Sequence, residues 1–114
     1  MAKDETKLFL RIDFAEGVRI GPGKIALLEA VAHHRSIAAA ARELGMGYRT
    51  AWLLIDSLNA MFDQPLVSTL PGRRDGGSEV TPFGQQVIAA FRRMEVLSRD
   101  AIHAEVATLR RKLK

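Results

Sequence analysis

The sequence predicts a mainly α fold with small β elements, formed as one domain over residues 1–114. Three observations carry this reading. Apolar residues recur every three to five positions over residues 23–34, 36–44, 47–62 and 82–112, as they do on amphipathic helices. They alternate with polar residues over 8–20, as on half-buried strands. A glycine-rich basic insert lies between two short β-like stretches within 66–81. With 47% hydrophobic residues in 114, the chain can bury one core.

In the first segment Leu8, Leu10, Ile12 and Phe14 form one side of a strand, with Arg11 and Asp13 on the other. Val18 and Ile20 repeat the alternation, and Gly17 suits the turn between them because it accepts a positive φ. Residues 8–20 are therefore expected to be a β-hairpin. Pro22 fits the first turn of a helix carrying Ile25, Leu28, Val31 and Ala32. Ser36 is placed to cap a second helix, whose four consecutive alanines let a neighbouring helix approach closely, and Gly45 ends it. The third helix starts near Gly47; Ala51, Leu54, Ile55, Leu58, Met61 and Phe62 share one face, with Arg49, Asp56 and Asn59 away from it. Leu66 to Thr69 and Glu79 to Thr81 read as the strands of a hairpin with a basic tip. Thr81-Pro82 then caps a helix bearing Phe83, Val87, Phe91, Met94, Leu97, Ala101, Val106, Leu109 and Leu113. At ~1.5 Å per residue this helix exceeds about 40 Å, so its far half needs a partner for its apolar stripe.

Residues 36–62 hold a spacing with a steric meaning. Ala41 lets two helices cross, Gly45 makes the turn, and Ala51 packs the next helix back on the core. That is a helix-turn-helix, and the basic hairpin and capped helix after it make the expected fold a winged helix-turn-helix with an N-terminal β-hairpin and a long C-terminal dimerisation helix.

The chain resembles the DNA-binding domain of ModE-type molybdenum-responsive regulators, and more loosely the N-terminal domain of LysR-type regulators. The match lies in Ile37-Ala-Ala-Ala-Ala-Arg-Glu-Leu44, in Gly47-Tyr-Arg-Thr-Ala-Trp52, in the wing from Leu66 to Ser78, and in Val80-Thr-Pro-Phe-Gly84. The resemblance implies that the Tyr-Arg-Thr-Ala-Trp segment opens a recognition helix, that the wing meets the DNA backbone or minor groove, and that the last helix pairs two subunits. Molybdate-sensing members carry oxyanion-binding domains after the winged helix, whereas this sequence ends at Leu109-Arg-Arg-Lys-Leu-Lys114. The expectation is DNA binding without molybdate sensing.

The candidate DNA-contacting residues are Tyr48, Arg49, Thr50, Trp52, Leu53, Arg73 and Arg74. Arg49 has the geometry to hold guanine O6 and N7 or a phosphate, and Tyr48 and Thr50 bring hydroxyls to the same turn. Trp52 lies between the two faces of its helix, open to a DNA contact or to packing on the domain. Arg73 and Arg74 suit a narrow minor groove, or simply a solvated loop. Seventeen Lys and Arg against thirteen Asp and Glu give a net charge of +4, which favours polyanions without demanding them.

No cysteine is present, so disulfides and thiolate metal sites are excluded. Adjacent His33 and His34 point about 100° apart on a helix, a poor start for a metal site. No spacing pairs a nucleophile with an orienting base, and neither glycine cluster leads into a phosphate-binding helix. No apolar run spans a bilayer and the N-terminus is not a signal sequence, so a cytoplasmic, non-enzymatic protein without cofactor is expected. Its expected role is a dimeric regulator binding double-stranded DNA; the alternative is a winged-helix module that binds proteins instead.

Overall fold

In the computed structural model, residues 4–69 and 77–114 are described. The elements follow in the order β1 (Ile12–Ala15), β2 (Val18–Ile20), α1 (Pro22–His34), α2 (Ile37–Leu44), α3 (Tyr48–Met61), β3 (Val67–Thr69), β4 (Ser78–Val80) and α4 (Pro82–Arg110). Each strand pair forms its own antiparallel two-stranded sheet, β1 with β2 and β3 with β4.

α1 is the centre of the domain. It touches α2, α3, β4 and α4, and Ile25, Leu27, Leu28 and Val31 are all fully buried. The sequence placed only one face of α1 in the core; Leu27 and Ala30 are buried too because the helix is surrounded. Ala40 and Ala41 from α2, Ala51, Ile55 and Leu58 from α3, and Ile88 and Phe91 from α4 join it in the core, which Ile20, Ile37, Leu66 and Val67 complete. The alanines let α2 sit close to both α1 and α3.

The N-terminal hairpin is shorter than expected. Strand pairing begins at Ile12, and the chain before it lies along the far half of α4, where Arg110 donates a 2.8 Å hydrogen bond to Thr6 Oγ1 and meets Asp4 at 3.3 Å. A register shift between Asp13 and Ala15 breaks the alternation there. Phe14, read as sharing a side with Leu10, which is partly buried against the core, is instead 57% exposed and meets Phe62 edge to face. Gly17 takes φ 76° at the turn, as expected.

α4 is 29 residues long, about 43 Å at ~1.5 Å per residue. Its first half packs on the domain through Ile88 and Phe91. Arg92 locks it to α1, donating to both carboxylate oxygens of Glu29 at 2.6 and 3.1 Å and to Glu95 at 2.8 Å. Those hydrogen bonds, the Glu29 pair first, hold the guanidinium well above its ordinary pKa. Beyond this triad Val96, Leu97, Ile102, Leu109 and Leu113 are exposed.

Candidate nucleic-acid interface

The turn between α2 and α3 fixes how α3 leaves the core. Ser36 Oγ accepts from Ala39 N at 3.1 Å, capping α2. At the other end Gly45 adopts φ 67°; its N–H reaches Arg42 O, and the N–H of Met46 reaches Ala41 O. This pair of bonds is the Schellman arrangement, which satisfies the last carbonyls and turns the chain sharply. Ala41 and Ala51 are both buried against the turn, as the spacing required.

α3 therefore presents its first turn outward. Tyr48, Arg49 and Thr50 are exposed, and one turn on Leu53 is 58% exposed. Gly47 offers no side chain to cap the first-turn N–H groups. Trp52 is half-buried: it packs against the core and meets Tyr48 edge to face at 6.3 Å. Arg49, Thr50 and Leu53 are thus exposed within about 100° of helix circumference, while Tyr48 is exposed beside the half-buried Trp52. Arg73 and Arg74 lie outside the described residues.

Two residues that organise this surface carry no sequence signal. Asn59, expected on the polar side of α3, is half-buried, and its side-chain oxygen accepts from Leu66 N (2.8 Å) and Val67 N (3.1 Å) while its amide donates to Val67 O (3.0 Å). It pins the start of β3 to α3. Arg35 ends α1 in the left-handed region at φ 55°, an uncommon conformation for a residue with a side chain. Its carbonyl accepts from Ser78 N at 3.1 Å and its guanidinium meets Glu79 at 3.1 Å, which ties the base of the wing to the α1–α2 turn. The partners of Asn59 lie seven and eight residues on, across a turn, and Glu79 lies 44 residues beyond Arg35. No local pattern reveals them.

Other basic side chains have local roles. Lys24 donates to Arg19 O at 2.9 Å, and its pKa is lowered by burial and then by the nearby Arg19 charge. His34 Nε2 lies 2.9 Å from Glu43 Oε1, linking α1 to α2. Among the described residues, no group of three or more His, Cys, Asp or Glu is placed to hold a metal ion, and no helix is long and apolar enough to cross a membrane.

A glycine-turned helix pair, a two-stranded wing and a capped helix following in that order define a winged helix-turn-helix protein. The chain belongs to the lysR family of bacterial regulatory helix-turn-helix proteins, whose family model matches residues 23–85. It is 48% identical over 87 residues to the molybdenum-pterin-binding protein MopA of Rhodobacter capsulatus, covering 75% of this chain and 33% of that protein. To the molybdenum transport protein ModE of Azotobacter vinelandii it is 32% identical over 94 residues (82% and 35%), and to the DNA-binding transcriptional dual regulator ModE of Escherichia coli (strain K12) 28% over 88 (76% and 34%). The chain spans about a third of the length of these curated relatives. Among solved structures, that of the CbnR_DBD–DNA complex has the same fold, with a TM-score of 0.58, 24% identity, and coverage of 75% of this chain and 95% of that one.

Proposed function

We propose that this chain binds double-stranded DNA as a transcriptional regulator, inserting the start of α3 into the major groove. The observation that carries the reading is the outward start of α3, where Tyr48, Arg49, Thr50 and Leu53 are all exposed after a glycine turn closed by two backbone hydrogen bonds. Membership of a regulatory helix-turn-helix family supports it. Trp52 borders the contact from its half-buried position, and Arg73 and Arg74 of the wing meet the flanking backbone or minor groove. The apolar residues exposed on the far half of α4 support a homodimer, with recognition helices about 34 Å apart, one turn of DNA. On this reading the protein works in the cytoplasm without catalysis or cofactor. The reading assigns no role to molybdate.

The test is selection from a random duplex pool, with anisotropy binding of the recovered sequence at several salt concentrations. A recurring palindrome is expected, with log K falling by ~0.9 per phosphate contact for each unit of log salt. Arg49→Ala should cost about 1–3 kcal/mol and relax the preference at one base pair. Absence of binding even at low salt would overturn the reading and favour a protein-binding winged helix.

A further inference from the structure

The exposed stripe of α3 runs Arg49, Leu53, Asp56, Ala60, and Leu53 is out of keeping with its neighbours. Leu54 packs against the core, but Leu53 is 58% exposed on the outward surface, one turn along from Arg49. A leucine there gains little from the fold, and its apolar area is free to be buried against an apolar group on whatever α3 meets. If α3 lies in the major groove, the choice is narrow. Base edges there offer hydrogen-bond donors and acceptors, and the one apolar substituent is the thymine C5-methyl group.

We propose that Leu53 is a specificity-determining residue that reads thymine through its C5-methyl, beside the polar contacts made by Arg49. This rests on the DNA-binding reading above and adds to it the kind of base recognised. Tyr48, 56% exposed in the same turn region, is the other side chain with a large apolar surface, so the assignment to Leu53 must be tested as a coupling and not as a simple loss.

The probe is the duplex recovered from the random pool, with each thymine replaced in turn by deoxyuridine, which removes the methyl and leaves the base pair intact. Wild type, Leu53→Ala and Leu53→Met are compared on each duplex by anisotropy. At one or two positions the wild type should lose about fourfold in affinity, the worth of one buried methyl-sized group. At those positions Leu53→Ala should lose nothing further, and Leu53→Met should behave like the wild type. Alanine suits an exposed helical site, so all three proteins should unfold at similar temperatures. Tolerance of deoxyuridine at every position by the wild type, or an equal loss in wild type and Leu53→Ala, overturns the proposal. Failure of the wild type to bind any duplex is a separate result and removes the DNA-binding reading itself.

Discussion

At Gly84 the fold has no room for a side chain. A Cβ placed there would collide with the Leu66 carbonyl oxygen and Val80 Cγ1, because α4 crosses the base of the wing at backbone distance. The crossing is held by Thr81, whose hydroxyl accepts from Gly84 N at 2.9 Å while donating to Pro65 O at 2.8 Å. Gly23, on the outer side of α1, meets nothing within 4 Å of its own would-be Cβ. The two positions therefore predict opposite outcomes of the same substitution. Gly84→Ala should destabilise by about 1–3 kcal/mol through overpacking, and Gly23→Ala should stabilise by about 0.5–1 kcal/mol by restricting the unfolded chain. Urea unfolding of both variants checks this, and a Gly84→Ala midpoint equal to that of the wild type would contradict the close crossing. The sequence flagged Gly84 only through the family likeness of Val80-Thr-Pro-Phe-Gly84, since the backbone oxygen that forbids a side chain belongs to Leu66, ahead of β3 and distant in sequence.

Among the elements, the wing is held by borrowed groups. β3 and β4 have three residues each, too few to persist as an isolated hairpin. Asn59 supplies part of what they lack, meeting three backbone groups of Leu66 and Val67. Asn59→Ala leaves the N–H of fully buried Leu66 without its partner and should cost about 1–3 kcal/mol. Amide hydrogen exchange would locate the effect: Leu66 and Val67 should exchange faster while α1 amides keep their order of protection. An unchanged rate at those two amides would mean that β4 alone holds the strand. Helical spacing was legible here because it is written locally; every helix lies close to its expected bounds, with Ser36, Gly45 and Thr81 acting as the caps they resembled. The strands were less legible. Leu10 to Phe14 alternate apolar with polar, yet pairing begins only at Ile12, and the irregularity at Asp13 to Ala15 turns Phe14 outward. Nor does Asn59 differ in type from any solvated asparagine.

The molecule measures 58 × 31 × 23 Å, and its length comes from α4. That helix divides at the Arg92 triad into a half packed on the domain and a half bearing exposed Leu97, Ile102 and Leu109. If the second half pairs two copies, Leu97→Glu with Ile102→Glu should give a monomer in sedimentation velocity. Affinity for the selected palindrome should fall while salt-dependent binding to one half-site persists. A double variant that remains dimeric would place the interface elsewhere. From the sequence the stripe was visible but the path of residues 4–10 along α4 was not, because the contacts of Arg110 with Asp4 and Thr6 join opposite ends of the chain. The tie between Arg35 and the Ser78–Glu79 strand has a mechanical consequence. With the Asn59 bonds that hold the start of β3 to α3, it makes α3 and the wing base the two jaws of a caliper with a set gap. In the proposed complex a mismatch between that gap and the groove spacing is relieved by flexing the duplex. Soft pyrimidine–purine steps between the jaws would then be favoured at base pairs that no side chain touches.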